Sequence, residues 1–211
     1  MIAGPLGPFG LPDADPRTRA STEILTRQIF EQGAYDHPEL PTEGIRTILD
    51  IGAGWGAFAV WAMHRWPGAN ITCYEPHDRA AELLLENVTR YGVPGLVAIS
   101  RCAVTTEFAP RLNGCEDWGS YHTHGTGDGG WPVSAIDPKY LPPCDLVKVD
   151  NEGCEIEFLE NYPNTPRVML IEWHGSANRA RVTEIAESRG YRCLRNDPEE
   201  PGYGVGVWVK T

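Results

Sequence analysis

The sequence predicts an α/β doubly wound sheet, and three observations lead there. Apolar runs of strand length alternate with longer stretches of helical period along residues 45–190. The first of these runs is followed at once by the glycine-rich turn Gly52-Ala53-Gly54-Trp55-Gly56. The chain then closes on two apolar runs, near 191–195 and 204–210, that can pair as antiparallel strands. A chain of 211 residues suits one compact domain with a small extension. The expected division is 1–40 as an N-terminal leader and cap helix, and 41–211 as the sheet domain with a substrate-loop insertion at 106–140.

Residues 1–16 are rich in proline and glycine (Pro5, Pro8 and Pro12 among them) and read as an irregular leader. A helix is expected over 17–33, with Ile24, Leu25, Ile29 and Phe30 on one side and Gly33 near its stop. Thr47-Ile48-Leu49-Asp50-Ile51 reads as a buried strand, and 56–66 as a helix apolar almost all round, hence sandwiched. A second strand is expected over 70–75 and a helix over 77–91, with Ala80, Leu84, Val88 and Tyr91 in line. Strands follow at 96–100, 145–150 and 167–173, with helices near 153–161 and 177–189. The stretch 106–140 breaks this rhythm. Its glycines, its tryptophans and the pair His122 and His124 mark a long substrate-facing loop with room for a short hairpin.

Composition narrows the function. Hydrophobic residues make up 41% and charged residues 22%, ordinary for a soluble globular chain. The longest aliphatic-aromatic run, Ala57 to Met63, is far short of the ~20 residues that cross a bilayer. The N-terminus has neither the basic start nor the apolar segment of a secretory signal, so a cytoplasmic location and no membrane partner are expected. The formal net charge is −11, and no lysine-arginine block offers a face for nucleic acid. That balance suits a cationic or neutral hydroxylated small molecule, although surface acids also simply confer solubility. The six cysteines include no CxxC pair and no zinc spacing, which points to reduced thiols.

The chemistry-bearing signal is Asp50 with Gly52, Ala53, Gly54, Trp55 and Gly56 at the first strand–helix turn. Open α/β sheets bind ligands at the carboxyl ends of their strands. Glycines there let a cofactor approach the backbone without interference from Cβ atoms. The spacing is GxGxG after an acid, not the GxGxxG of dinucleotide sites. An acid in that place suits an ammonium or sulfonium group better than a pyrophosphate. Glu75, with Pro76 behind it, ends the second strand, where a carboxylate can accept both hydroxyls of a ribose.

With ILDIGAGWG at 48–56, YEP at 74–76, DLVKVDNEGCEIEFL at 145–159 and VMLIEWH at 168–174, the chain resembles the FkbM-type family of class I S-adenosylmethionine-dependent methyltransferases. The likeness covers residues 45–175. The family's KxDxEGxE strand is met by Lys148, Asp150, Glu152, Gly153 and Glu155. The resemblance implies a Rossmann-like, seven-stranded sheet with an antiparallel last strand. It also implies S-adenosylmethionine as cofactor, S-adenosylhomocysteine as product, and O-methylation of a small molecule, sugar or natural product. Asp50 and the Gly52–Gly56 loop would hold the methionine end, and Glu75 the ribose; Cys102 and Ala103 would border the adenine. Arg101-Cys102-Ala103 lacks the acid that many class I enzymes place beside the adenine amine.

Methyl transfer to an alcohol requires alignment and removal of one proton. The candidate catalytic residues are Asp150, Glu172 and His174, at the ends of the fourth and fifth strands. Asp150 lines the transfer site or caps the helix near Gly153, and His174 is either the neutral-pH base or a solvated or structural residue. A divalent ion such as Mg²⁺ among Asp150, Glu172, His174, His122 and His124 is conceivable, but the spacing does not enforce it, and no metal is expected. Trp118, Tyr121 and Trp131 either stack on a ring-bearing acceptor or anchor the loop. Two other readings stay open: a non-catalytic binding module on this fold, and an NAD(P)-dependent oxidoreductase. Base methylation is disfavoured because Asp150-Asn151-Glu152-Gly153 replaces the expected PPY-like turn, and Cys144 precedes its strand, away from the cofactor end. Oligomeric state is open.

Overall fold

The computed structural model describes residues 16–93, 96–108, 110–114, 121–122, 130–200 and 202–211. In chain order the elements are α1 (Pro16–Phe30), β1 (Thr47–Ile51), α2 (Ala57–Arg65), β2 (Asn70–Tyr74), α3 (Asp78–Tyr91) and β3 (Leu96–Ser100). Five short strands come next: β4 (Ala103–Val104), β5 (Arg111–Gly114), β6 (Tyr121–His122), β7 (Trp131–Pro132) and β8 (Ala135–Ile136). A 3₁₀ turn at Pro138–Tyr140 leads to β9 (Leu146–Val149), α4 (Glu155–Asn161), β10 (Val168–His174), α5 (Ser176–Ser188), β11 (Tyr191–Glu200) and β12 (Tyr203–Lys210).

Seven strands form the main sheet in the order β11-β12-β10-β9-β1-β2-β3. β1 pairs in parallel with β2 and with β9, and β10 in parallel with β9. β12 runs antiparallel to both β10 and β11. Strand order reverses between β1 and β9, so the chain leaves these two strands in opposite directions and a crevice opens at their carboxyl ends.

The strand interiors are buried on both faces, as a covered parallel sheet requires: all four residues of β9 and the last four of β1 are shielded from water. One face packs Ile48, Ile71, Phe58, Trp61 and Leu84 under α1, α2 and α3. The other packs Leu49, Val147, Val149, Phe158, Tyr162 and Trp208 under α4 and α5. Helix α2 is buried from Ala57 through Met63, which explains its lack of a polar face. Its entry residue Gly56 sits at φ 88°, and a Cβ there would lie 3.0 Å from Leu84 Cγ, so α3 packs against this turn.

Some boundaries differ from the sequence expectation. The first helix stops at Phe30, not at 33, because Gln32 N–H reaches five residues back to the Arg27 carbonyl and Ala34 N–H six back to Gln28, widening the last turn around the left-handed Gly33. β11 continues through Pro198 to Glu200, which an edge strand tolerates because no outer neighbour needs the missing N–H. Between 106 and 140 short strands form: β5 pairs with β6 and β7, and β8 pairs with β4, which precedes this stretch. The leader 1–15, Trp118 and His124 lie outside the described residues, as do the side chains of Tyr121 and His122. No helix among the described residues is long and apolar enough to cross a membrane.

Candidate functional site

A cleft opens at the carboxyl ends of β1, β2, β9 and β10, enclosing ≈ 1090 Å³ with its solvent mouth. The β1–α2 turn supplies Gly52, Ala53, Gly54 and Trp55, and the end of β2 supplies Glu75 and Pro76. Cys102, Ala103, Val104 and Leu112 form an apolar side wall. Leu25 and Ile29 of α1 close the top, while Gln28 Nε2 donates to the Tyr203 hydroxyl at 2.8 Å and ties α1 to β12.

Glu75 is positioned by the backbone. The Gly54 N–H donates to its Oε2 and the His77 N–H to its Oε1, each at 2.8 Å. Each oxygen keeps a second lone pair. Burial pushes this carboxyl up to about 7, against the pull of the His77 and Gly54 hydrogen bonds. Beside it, a Cβ placed on Gly54 would meet nothing within 4 Å, so the turn borders open space. A carboxylate with two free acceptor sites next to an open glycine cradle fits a ribose-bearing cofactor.

Asp50 does not face that cleft. It is fully buried beneath the turn, and its countercharge is internal: Lys148 Nζ lies 3.4 Å from Oδ1. The β1–β9 register places Asp50 opposite Lys148 and dictates this pairing. Its expected direct role at a methionine end is therefore corrected to support from below. Lys148 also lies 3.2 Å from Asp150 Oδ2 and 2.6 Å from the Gly52 carbonyl. Burial disfavours its charge, but Asp150, Asp50 and Glu172 more than compensate and hold it protonated.

The β9–β10 end collects Asp150, Glu152 and Glu172 on the cleft wall. Asp150 caps no helix. α4 starts at Glu155 behind Cys154, with no side-chain cap, because the Glu152-Gly153 turn intervenes. Glu152 adopts a left-handed backbone, φ 51°, a strained conformation for its residue type. His174, half-buried, lies 3.3 Å from Glu155 Oε1 by Nδ1, and 3.5 and 3.7 Å from Glu152 and Glu172 by Nε2. Burial works against its cation, but the Glu155 hydrogen bond and the surrounding carboxylates outweigh it and lift the imidazole to about 9. Its Nδ1 is engaged by Glu155 and its proton is held more tightly than in a free imidazole, so it does not stand as the free base expected from the sequence. Burial first, then the charge of Asp150, raises Glu152 to about 8, and the same two causes push Glu172 well above the carboxylate range.

Asp150, Glu152 and His174 each bring a ligand atom within 4.8 Å of the others, a set that could hold a divalent ion once His174 loses its proton. Trp131 is exposed and packs edge-on against His77 at 5.9 Å, outside the cleft lining, which favours its anchoring role. Cys144 contacts the Tyr162 hydroxyl before β9, at the amino end of the sheet. The sequence placed Glu155 and Lys148 in the KxDxEGxE strand without revealing that Glu155 meets His174 or that Lys148 bridges Asp50, Asp150 and Gly52. The alternation Lys148-x-Asp150 on one strand face was the available signal for Lys148.

The antiparallel β12, inserted between β10 and β11, separates this sheet from an all-parallel dinucleotide fold. The fold is that of the class I methyltransferases. Residues 37–110 match the family model of the methyltransferase small domain. The chain is similar to methyltransferase sdnD of Sordaria araneosa, 23% identical over an alignment of 226 positions that takes in 86% of each protein. Among solved structures it is similar to the magnesium protoporphyrin IX methyltransferase of Synechocystis PCC 6803 with bound S-adenosylmethionine, TM-score 0.54 and 9% identity over 96% of this chain and 88% of that one. It is also similar to the mitomycin 7-O-methyltransferase MmcR, TM-score 0.51 and 15% identity over 92% of this chain and 56% of that one.

Proposed function

We propose that the chain transfers a methyl group from S-adenosylmethionine to a hydroxyl of a small molecule, a sugar or natural product among the candidates, leaving S-adenosylhomocysteine. The observation that carries this reading is the Glu75 carboxylate, held by the Gly54 and His77 amides at the cleft with two acceptor sites to spare. When bound, S-adenosylmethionine supplies an electrophilic methyl on a sulfonium sulfur. Glu75 accepts the ribose hydroxyls, Pro76, Cys102 and Ala103 pack against the adenine, and the glycine turn takes the methionine end. Asp150, on the cleft wall beside Glu172, accepts the proton that the acceptor hydroxyl loses as its oxygen takes the methyl. His174, anchored on Glu155 through Nδ1, positions Glu152 and Glu172 through Nε2.

The relatives' names support the cofactor, and the KxDxEGxE pattern of residues 148–155 supports membership of the FkbM-type family. A net charge of −11 and carboxylates at the transfer end favour a small molecule over RNA, and a cytoplasmic setting suits the cysteine usage. The test is calorimetric titration with S-adenosylmethionine, S-adenosylhomocysteine and NAD⁺ in parallel, then methyl transfer to a panel of hydroxylated small molecules with tRNA as comparison. Micromolar binding of the two sulfur compounds and labelled small-molecule product are expected. A signal from NAD⁺ alone would overturn the reading in favour of an oxidoreductase. Silence from all three would leave a binding module, and labelled tRNA would replace the acceptor class.

A further inference from the structure

Lys148 has more contacts than charge balance requires. Its side chain is 4% exposed, yet it belongs to the cleft lining, and it is the one basic side chain there among the described residues. If its task were only to neutralise the buried Asp50, the closest approach should be to that carboxylate. The distances run the other way. Nζ is 2.6 Å from the Gly52 carbonyl and 3.2 Å from Asp150 Oδ2, both on the cleft wall, but 3.4 Å from Asp50 Oδ1, an atom with no hydrogen bond. A further contact reaches the Ile51 carbonyl at 3.5 Å.

The surrounding backbone makes the same junction. A Cβ on Gly52 would fall 1.7 Å from the Asp150 carbonyl oxygen, so the β1–α2 turn and the end of β9 are already pressed together there. Across that seam the Asp150 N–H donates to the Ile51 carbonyl at 3.1 Å, and Lys148 adds the side-chain tie. We infer that Lys148 is a positioning residue that fixes the glycine turn and the Asp150 carboxylate relative to each other, and so shapes the part of the cleft that receives the amino-acid half of the cofactor. The inference rests on the cofactor reading above.

The experiment compares wild type, Asp50→Asn, Lys148→Met and the double variant by thermal melting and by calorimetry with two probes. S-adenosylhomocysteine carries the amino-acid half, and 5′-methylthioadenosine lacks it. Lys148→Met alone leaves Asp50 a buried unpaired charge and melts early or fails to fold. The double variant removes that charge and recovers its melting temperature. Measured against Asp50→Asn, the double variant is expected to bind S-adenosylhomocysteine at least tenfold more weakly while holding methylthioadenosine within twofold. Recovery of S-adenosylhomocysteine affinity together with stability would reduce Lys148 to a counterion and overturn the inference. Equal loss of both probes, or a double variant that does not fold, would also overturn it, by making the role a general structural one. Failure of wild type to bind S-adenosylhomocysteine would instead remove the cofactor reading, and this inference with it.

Discussion

The two ends of the cleft are built on opposite electrostatic plans. At the β2 end a single carboxylate, Glu75, is held by two backbone amides. At the β9–β10 end, Asp150, Glu152, Glu155 and Glu172 crowd around two cations, Lys148 and His174. Backbone amides are fixed by the fold and carry no countercharge, so Glu75 remains free to accept further hydrogen bonds. Side-chain cations are already shared, so each carboxylate at the other end is fixed by its neighbours. The first plan suits recognition of neutral hydroxyls. The second suits a place where charge changes, because a proton gained there is felt by the whole group.

The largest expected effect breaks the seam between the ends. Gly52→Ala would place Cβ against the Asp150 carbonyl at a left-handed φ of +70°, and should cost on the order of 3 kcal/mol in denaturant unfolding. Near-wild-type stability would mean that the seam yields. Next, Asp150→Asn should leave S-adenosylhomocysteine binding in place and slow methyl transfer roughly 10²-fold on an acceptor found by the panel. Undiminished turnover would move the proton acceptor to Glu152 or Glu172. At the amide-held end, Glu75→Ala should weaken S-adenosylhomocysteine by roughly 10–100-fold, the loss of about 1.5–3 kcal/mol of hydrogen bonding to a charged group. Unchanged affinity in the folded variant would take Glu75 out of the site.

The smallest effect sharpens the contrast through pH. Burial raises Glu75 to about 7 in the unliganded chain, and in the proposed binding mode the ribose hydroxyls donate to its ionised form. Affinity for S-adenosylhomocysteine should therefore rise roughly tenfold from pH 6 to pH 8 and then level off. Glu75→Gln should give a flat line; a wild-type affinity independent of pH would mean that Glu75 is already ionised at pH 6. Stability of the unliganded chain should run the other way. Glu75, Glu152 and His174 all hold protons more tightly folded than unfolded, with folded values of about 7, 8 and 9. Their contribution is fully present below the unfolded values of 4.5 for the glutamates and 6.5 for the histidine, and is lost as pH rises through the folded ones. Melting temperature should fall between pH 5 and pH 9, and a rise over that range would contradict the charge arrangement.

This contrast also explains what could be read without coordinates. Glu75 and its glycine turn were legible because their geometry is local: a strand ends, a turn needs left-handed residues, and the next strand ends in an acid. The transfer-end acids were legible as residue types at strand ends but not as states. His174 looked like a neutral base because its chain neighbours do not reveal that Glu155, nineteen positions earlier, meets its Nδ1. Asp150 was open to a capping role because the left-handed Glu152-Gly153 turn, which delays α4 to Glu155, has no sharp sequence signature.

The sequence alone determined the alternation of strands and helices, the antiparallel pairing of the last two strands, the glycine turn and the strand-end acids. Each of these depends on periodicity or on contacts between near neighbours. Only the tertiary structure decided which charges meet. The β1–β9 register sets Asp50 opposite Lys148 across ninety-eight residues of chain, and turns an acid expected to face a cofactor into the buried floor beneath it. Periodicity says which side of a strand a residue takes, but register, set by the packing of the whole sheet, decides the partner it finds there.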